Sequence, residues 1–202
     1  MKDINEVMNE LNNDDYHEDA HFESIDFSGL EISGHTFEDC IFTSCMFEKA
    51  SMNHTVLNTC EFKSSTVMMC SISNATFNNV IFSDCKLVGI NYTEANSFAF
   101  SPSYQRCVLD SNMFFSNNLS KLGFIECQLR NTDFIECNLK ETVFKSSSFD
   151  SVEFSRCNLE KSVFLGARGY RIDPSANRLK GAEFDLPEAE SFLGFLGIKI
   201  VQ

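Results

Sequence analysis

Residues 137–144, Cys137-Asn138-Leu139-Lys140-Glu141-Thr142-Val143-Phe144, return twenty positions later as Cys157-Asn158-Leu159-Glu160-Lys161-Ser162-Val163-Phe164. Inside each octet the two large apolar residues stand five apart. Counting outward by fives gives Phe22, Phe27, Ile32, Phe37, Phe42, Phe47, Met52, Leu57, Phe62, Val67, Ile72, Phe77, Phe82, Leu87 and Tyr92. The phase then slips by two and resumes at Leu109, Phe114, Leu119, Phe124, Leu129, Phe134, Leu139, Phe144, Phe149, Phe154, Leu159 and Phe164. All 27 positions are large and apolar in a chain that is 43% apolar, a run with a chance probability of about 10⁻¹⁰.

Five is neither the 3.6 of a helix nor the 2 of a strand, so the chain turns a corner every five residues, and four corners close a square. The twenty-residue echo is one full coil. A second inward position lies two before each centre and is mostly small: Cys40, Cys45, Ala50, Thr55, Cys60, Ser65, Cys70 and Ala75 in the first half, Cys107, Cys127, Thr132, Cys137, Ser147 and Cys157 in the second. Asn118, Asn138 and Asn158 fall in one column, where stacked amides can bond along the axis. These spacings define an all-β quadrilateral β-helix.

The repeat resembles that of the pentapeptide-repeat proteins, over about residues 20–184. That resemblance implies the right-handed winding, which the period alone does not. The C-terminal stretch is more specific: Gly169-Tyr170-Arg171-Ile172-Asp173-Pro174, the further in-phase pair Leu179 and Phe184, and the terminal Ile198-Lys199-Ile200-Val201 resemble the tail of Qnr-type quinolone-resistance proteins and of the McbG microcin-immunity type. The resemblance implies a protein that binds DNA gyrase or topoisomerase IV and protects it from poisons. Extended loops of the Qnr kind are missing, which brings the chain nearer the McbG or loop-less MfpA type.

The remainder of the 202 residues divides around the repeat: 1–19 as an N-terminal cap, 20–186 as the β-helix with a break at 95–106, and 187–202 as a C-terminal module. Ile4, Val7, Met8 and Leu11 recur at helical intervals after Asp3 and Glu6, which have capping-box spacing, so a short amphipathic helix is expected over 4–12. Beyond Pro187, Ala189, Phe192, Leu193 and Leu196 share a helical face that Gly197 ends. Both segments suit covers for the exposed ends of a solenoid. In Qnr-like relatives the second joins two chains, and the resemblance places Phe192, Phe195, Leu196, Ile198 and Ile200 in that homodimer contact. The break holds Pro102 with Phe98, Phe100 and Tyr104 around it, and the 17 residues from Tyr92 to Leu109 are three repeats plus two, which suits a bulge.

Charge is uneven. The net of −13 resides almost wholly in residues 1–48, which carry 13 acids and one base, whereas residues 49–202 carry 16 acids and 15 bases. Asp14, Asp15, Glu18, Asp19, Glu23, Asp26, Glu31, Glu38 and Asp39 make one end of the rod acidic, either as a solubilising end or as a partner surface. Such a balance repels nucleic acid and anionic membranes and favours a basic partner, including proteins that grip DNA. No apolar stretch reaches the roughly 18 residues of a membrane span and no signal-peptide core is present, so a cytoplasmic protein is expected.

Catalytic chemistry is not suggested. All nine Cys sit at the small inward position and no C-x-x-C pair exists, so packing explains them and neither metal nor cofactor is expected. Axially stacked pairs such as Cys40/Cys60, Cys107/Cys127 and Cys137/Cys157 come within disulfide reach, which requires a reducing compartment. His35 is at an inward position and reads as a hydrogen-bonded core histidine; His17, His21 and His54 are scattered. Outward apolar residues twenty apart, Phe115 with Ile135, Met68 with Val88, Val143 with Val163, and Ile41 with Ile81 across Glu61, form short stripes that suit either a solvated β-face or a contact surface. Two functions follow as expectations: a non-catalytic DNA mimic about 35 Å long and on the order of 20 Å wide that binds a type II topoisomerase, or a scaffold that holds a protein partner through its stripes and the break residues Phe98, Phe100, Tyr104, Phe115 and Ile135.

Overall fold

The structure, a computed structural model, describes Val7, Asn9, Leu11 and residues 13–197. The chain winds as an all-β parallel solenoid whose three-residue strands form four sheets, one on each side of a square. The first face stacks Tyr16–Glu18, Thr36–Glu38, Val56–Asn58 and Thr76–Asn78. The second runs from His21–Glu23 to Phe124–Ile125, and the third from Met46–Glu48 to Ser148–Asp150. The fourth is carried by the single bridges Glu31 to Ser51 and Ser51 to Ser71 before the break, and by Met113–Phe115, Asp133–Ile135 and Glu153–Ser155 after it. Past the break the first face continues through the bridges linking Asn118, Asn138, Asn158 and Arg178.

Each side follows one local rule. The centre points inward, its two neighbours point outward, and the next residue takes a left-handed conformation that turns the corner. Asp39 (φ 53°), Thr59 (φ 54°) and Asn79 (φ 51°) occupy successive levels of one such corner. The left-handed region costs an L-residue about 1–2 kcal/mol. In return it aims the corner N–H along the axis: Asp39 N–H donates to Asn58 O at 3.0 Å and Thr59 N–H to Asn78 O at 2.8 Å.

All 27 centres read from the sequence are buried, none more than 7% exposed. On the second face the rings of Phe22, Phe42, Phe62, Phe82, Tyr104, Phe124, Phe144, Phe164 and Phe184 form one stack, with adjacent centroids 4.6–5.4 Å apart. Eight steps at the strand spacing of about 4.8 Å make this column about 38 Å long. The small second position closes the remaining space, and all nine Cys are buried and free. Asn138 Nδ2 donates to Asn118 Oδ1 at 2.9 Å and Asn158 Nδ2 to Asn138 Oδ1 at 3.3 Å, completing the amide column.

The interruption is a bulge, narrower than residues 95–106. Asn96 N–H still donates to Ala75 O, and Ser103–Gln105 already pairs with Ile81–Ser83 at a 22-residue offset, so two extra residues are absorbed between them. Tyr104, five before Leu109, is therefore a centre. The bidentate ion pair of Arg106 with Asp84, 2.7 Å at each contact, ties this longer coil to the one before it.

At the N-terminal end Val7, Asn9, Leu11 and Asn13 are helical, and Val7 and Leu11 join the core cluster; Ile4 and Met8 lie outside the described residues. At the other end Glu188–Leu196 is a 3₁₀ helix closed by Gly197 at φ 66°. Gly169 explains part of the tail motif, because a Cβ there would stand 2.4 Å from the Phe149 carbonyl oxygen. This tight passage brings Tyr170 under the last coil, against Phe184 and Phe164.

Phe134 is fully buried and stacked between Phe114 and Phe154 at 4.9 and 5.1 Å. Phe134→Ala is expected to cost about 3–5 kcal/mol in urea or thermal unfolding, whereas Ser155→Ala, at an outward position, changes stability by less than about 0.5 kcal/mol. Equal melting of the two variants would contradict the register.

Candidate functional site

The nine carboxylates of the acidic end are distributed around the perimeter of the first coils and do not run along one face. Glu18 and Glu38 flank centres of the first face, Glu23 of the second, Asp26 of the third and Glu31 of the fourth, while Asp19 and Asp39 stand at a corner. Eight of the nine are exposed; Glu38 is half-buried, and accepts from Tyr16 Oη at 3.3 Å and Asn58 Nδ2 at 3.0 Å. Three also serve local turns: Asp14 accepts from Tyr16 N–H at 3.0 Å, Asp26 from Ser28 N–H at 2.9 Å and Glu31 from Ser33 N–H at 3.2 Å. Hydrogen bonding from the Ser28 hydroxyl, then its N–H, holds the Asp26 carboxyl below its ordinary pKa, and the hydroxyls of Ser33 and Ser51, with the Ser33 N–H, do the same for Glu31, so both stay ionised at neutral pH.

Elsewhere the charges cancel along the axis. Arg156 pairs with Glu136 at 2.9 Å and Arg178 with Glu160 at 2.7 Å, each one coil away. Among the described residues none of the nine collar carboxylates has an ion-pair partner. The result is a ring of negative charge at one tip of a nearly neutral rod.

The break residues do not form one surface. Phe100 (6% exposed) and Tyr104 (1%) are interior, because the two-residue insertion folds Phe100 against Phe77 and Tyr92 and returns Tyr104 to the ring stack. They are corrected from contact residues to core residues. Phe98 is 82% exposed at the tip of the bulge. On the fourth face Phe115 is exposed and pairs in register with half-buried Ile135, with exposed Met113 beside Phe115. The pairings of Met68 with Val88, Val143 with Val163, and Ile41 with Ile81 through Glu61 are likewise as the twenty-residue spacing expects.

The tail residues divide similarly. Phe192 is half-buried on its own chain's last coil, 4.8 Å from Phe184 and 6.0 Å from Tyr170 between ring centroids. Phe195 and Leu196 remain exposed, with Leu186 and Leu193 beside them. Ile198 and Ile200 lie outside the described residues. Burial, with Glu188 and Asp185 nearby, pushes the Tyr170 phenol up to about 12.

His17 escapes the apolar count, yet it is five before Phe22 and occupies the first centre, stacked on Phe37 at 4.9 Å and only 3% exposed. Its Nε2 shares a hydrogen bond with Nδ1 of half-buried His35 at 3.1 Å. His35, Leu11, Asn13, Asp14 and Asp15 line an open hollow of about 300 Å³ beside the pair. Among the described residues no group of three or more His, Cys, Asp or Glu is arranged to hold a metal ion, and no helix is long and apolar enough to cross a membrane.

This geometry defines a pentapeptide-repeat solenoid. The family model for pentapeptide repeats matches residues 124–164 in eight copies. No curated protein sequence matches the chain. Among solved structures it is similar to QnrB1, a plasmid-mediated fluoroquinolone resistance protein: a trypsin-treated single-substitution variant aligns at 18% identity and a TM-score of 0.50, covering 93% of this chain and 92% of that one. Full-length QnrB1 aligns at 17% identity and 0.41, covering 88% and 100%. HetL, a pentapeptide repeat protein involved in heterocyst differentiation regulation from the cyanobacterium Nostoc sp. strain PCC 7120, aligns at 12% identity and 0.36, covering 91% and 95%. At these identities the likeness to QnrB1 concerns the fold.

Burial lowers the His35 pKa against the opposing pull of Asp15 and Asp14. The unfolded chain therefore binds this proton first, so the stabilisation is complete above the ordinary imidazole pKa of about 6.5 and is lost as pH falls through the lower folded value. Calorimetric melting between pH 7 and pH 5 is expected to show a decline that is smaller in His35→Asn; an identical decline in the variant would mean that the pair is not its source.

Proposed function

We propose that this chain is a non-catalytic, cytoplasmic protein that occupies the DNA-binding surface of a type II topoisomerase, DNA gyrase or topoisomerase IV, and so protects it from quinolones or from a peptide or natural-product poison. The observation that carries this reading is the acidic collar at the tip of a straight rod whose fold resembles QnrB1 over 93% of the chain. A rod on the order of 20 Å wide matches a DNA duplex, and a negative tip is drawn to a basic DNA-binding saddle at long range. In this reading the winding is right-handed, the N-terminal helical segment caps the first coil, and residues 187–202 join two chains end to end through Phe195, Leu196 and their neighbours. Neither metal, cofactor nor bound nucleic acid is required.

A scaffold function without DNA mimicry is the second reading. It is favoured by the placement of exposed Phe98, Met113 and Phe115 at mid-rod, away from the collar.

Changing Asp14, Asp15, Glu18, Asp19, Glu23 and Asp26 to Asn or Gln keeps the acceptor oxygens that Asp14 and Asp26 offer to their turns. The changes are therefore expected to weaken gyrase binding and abolish protection of supercoiling from the poison, with melting nearly unchanged. Gyrase binding by the unaltered protein is expected to slow as salt rises. If protection survives these six changes but disappears on altering Phe98, Phe115 or Ile135, the apolar mid-rod surface carries recognition and the scaffold reading stands.

Deleting residues 187–202 removes exposed Leu193, Phe195 and Leu196 and is expected to abolish the end-to-end dimer. Light scattering that shows an unchanged dimer after the deletion would place that interface elsewhere.

A further inference from the structure

The four faces differ in how charge is ordered along the axis. On the third face Lys86, Asp110, Arg130, Asp150 and Arg168 alternate in sign through linked levels. The second face is acidic at both ends, with Glu23 and Asp185, and the fourth carries the acids Glu31, Asp133 and Glu153 along its length. The first face has opposite signs at opposite ends, with two acids at each of its first two levels and the basic pair Arg178 and Lys180 at its last; the third face also starts acidic, at Asp26, and ends at Arg168, but alternates in sign between. The first face begins with Glu18, Asp19, Glu38 and Asp39 and ends with Lys161, Arg178 and Lys180; between them stand amides and hydroxyls, with Lys121, Lys140, Glu141 and Glu160 of mixed sign in the second half.

This face has nine levels, with centres at His17, Phe37, Leu57, Phe77, Phe100, Leu119, Leu139, Leu159 and Leu179. The fifth is the midpoint, and it is the level of the bulge that exposes Phe98. A twofold axis lying across the face at that level turns a second copy end for end while preserving lateral position, so level one meets level nine column for column. Glu18 then opposes Lys180, Tyr16 (47% exposed) opposes the Arg178 guanidinium, and the corner carboxylate of Asp39 opposes Lys161. Each contact occurs twice. The one like-charged pairing, Glu38 against Glu160, is moderated because Glu160 already holds Arg178 at 2.7 Å.

We propose that this face binds a second copy of the chain, antiparallel, with Phe98 against Phe98 of the second copy at the dyad and the acidic end of each rod on the basic end of the other. The occupant is specified by charge complementarity: the face is complementary to itself and to no uniformly charged surface. A strip about 40 Å by about 10 Å buries on the order of 400 Å² per copy, half the roughly 800 Å² of a standard stable interface. The pairing is therefore weak and salt-sensitive. It is independent of the end-to-end contact proposed for residues 187–202.

The test begins with Phe98→Cys. The nine native thiols are buried, so the new one is the accessible thiol, and it is expected to form an intermolecular disulfide under mild oxidation at low salt and to do so far more slowly in 1 M NaCl, where the Debye length is about 3 Å. An end-to-end dimer would hold the two thiols about 40 Å apart, because each lies four levels from the tail. In sedimentation experiments, Glu18→Lys alone and Lys180→Glu alone are each expected to weaken lateral self-association about tenfold. An equimolar mixture of the two variants should recover it, since every 18–180 contact then has opposite signs. The double variant E18K/K180E should also recover it. Unchanged melting of each variant would exclude misfolding as the cause. Failure of Phe98→Cys to cross-link at concentrations where self-association is measured would overturn the proposal, as would a mixture that associates no more tightly than its parents.

Discussion

A residue in the left-handed conformation at the corners of the regular coils is the constraint on which the rest of this molecule depends. It sets the length of each side at five residues and turns the corner N–H along the axis, where it finds a carbonyl of the next coil, as Asp39 does at Asn58 and Thr59 at Asn78. Because the sides are so short, each can send only one large side chain inward, with one small one beside it. The conformational cost of the corners is met by those axial bonds and by the rings stacked inside them, such as Phe124 at 5.1 Å from Phe144.

The second inward position shows why cysteine suits this tube. Thr55 Oγ1 donates to Ile32 O at 2.8 Å and Ser65 Oγ to Phe42 O at 3.0 Å. The Cys60 thiol does the same toward Phe37 O at 3.3 Å, and the Cys107 thiol toward Phe82 O at 3.3 Å. Cysteine, serine and threonine are thus interchangeable small donors to a backbone oxygen in the preceding coil, with cysteine the most apolar of the three. This accounts for nine cysteines without any ligand or bridge.

Since the interior and the corners carry the fold, the outward positions are free to vary, and charge is arranged there with little regard for stability. In the body, opposite charges meet one coil apart, as in Arg156 with Glu136; among the described residues of the first coils they do not. The functional reading therefore rests on surface order: an acidic collar at one tip, apolar residues at mid-rod, and a first face whose sign reverses from end to end. Exposed ion pairs of the body contribute little to stability, but their near-cancellation leaves the collar as the dominant long-range field.

The five-residue period, the inward set, the twenty-residue register, the amide column and the location of excess negative charge were all legible in the sequence, because in a solenoid each contact lies a constant distance along the chain and spacing translates directly into position. Where that constancy failed, so did the reading. The two-residue slip concealed that Tyr104 had rejoined the ring stack and that Phe100 fills the core, while Phe98 alone is left outside, since which side chain a bulge expels depends on the space left by Phe77 and Tyr92. His17 was hidden because the apolar count had no place for a polar ring, yet the column beneath it offered a stacking partner in Phe37. Phe192 could be assigned to a helical face but not to the coil it covers. Those decisions belong to tertiary structure, because at a break or an end there is no next repeat to dictate the neighbour and only three-dimensional packing selects it.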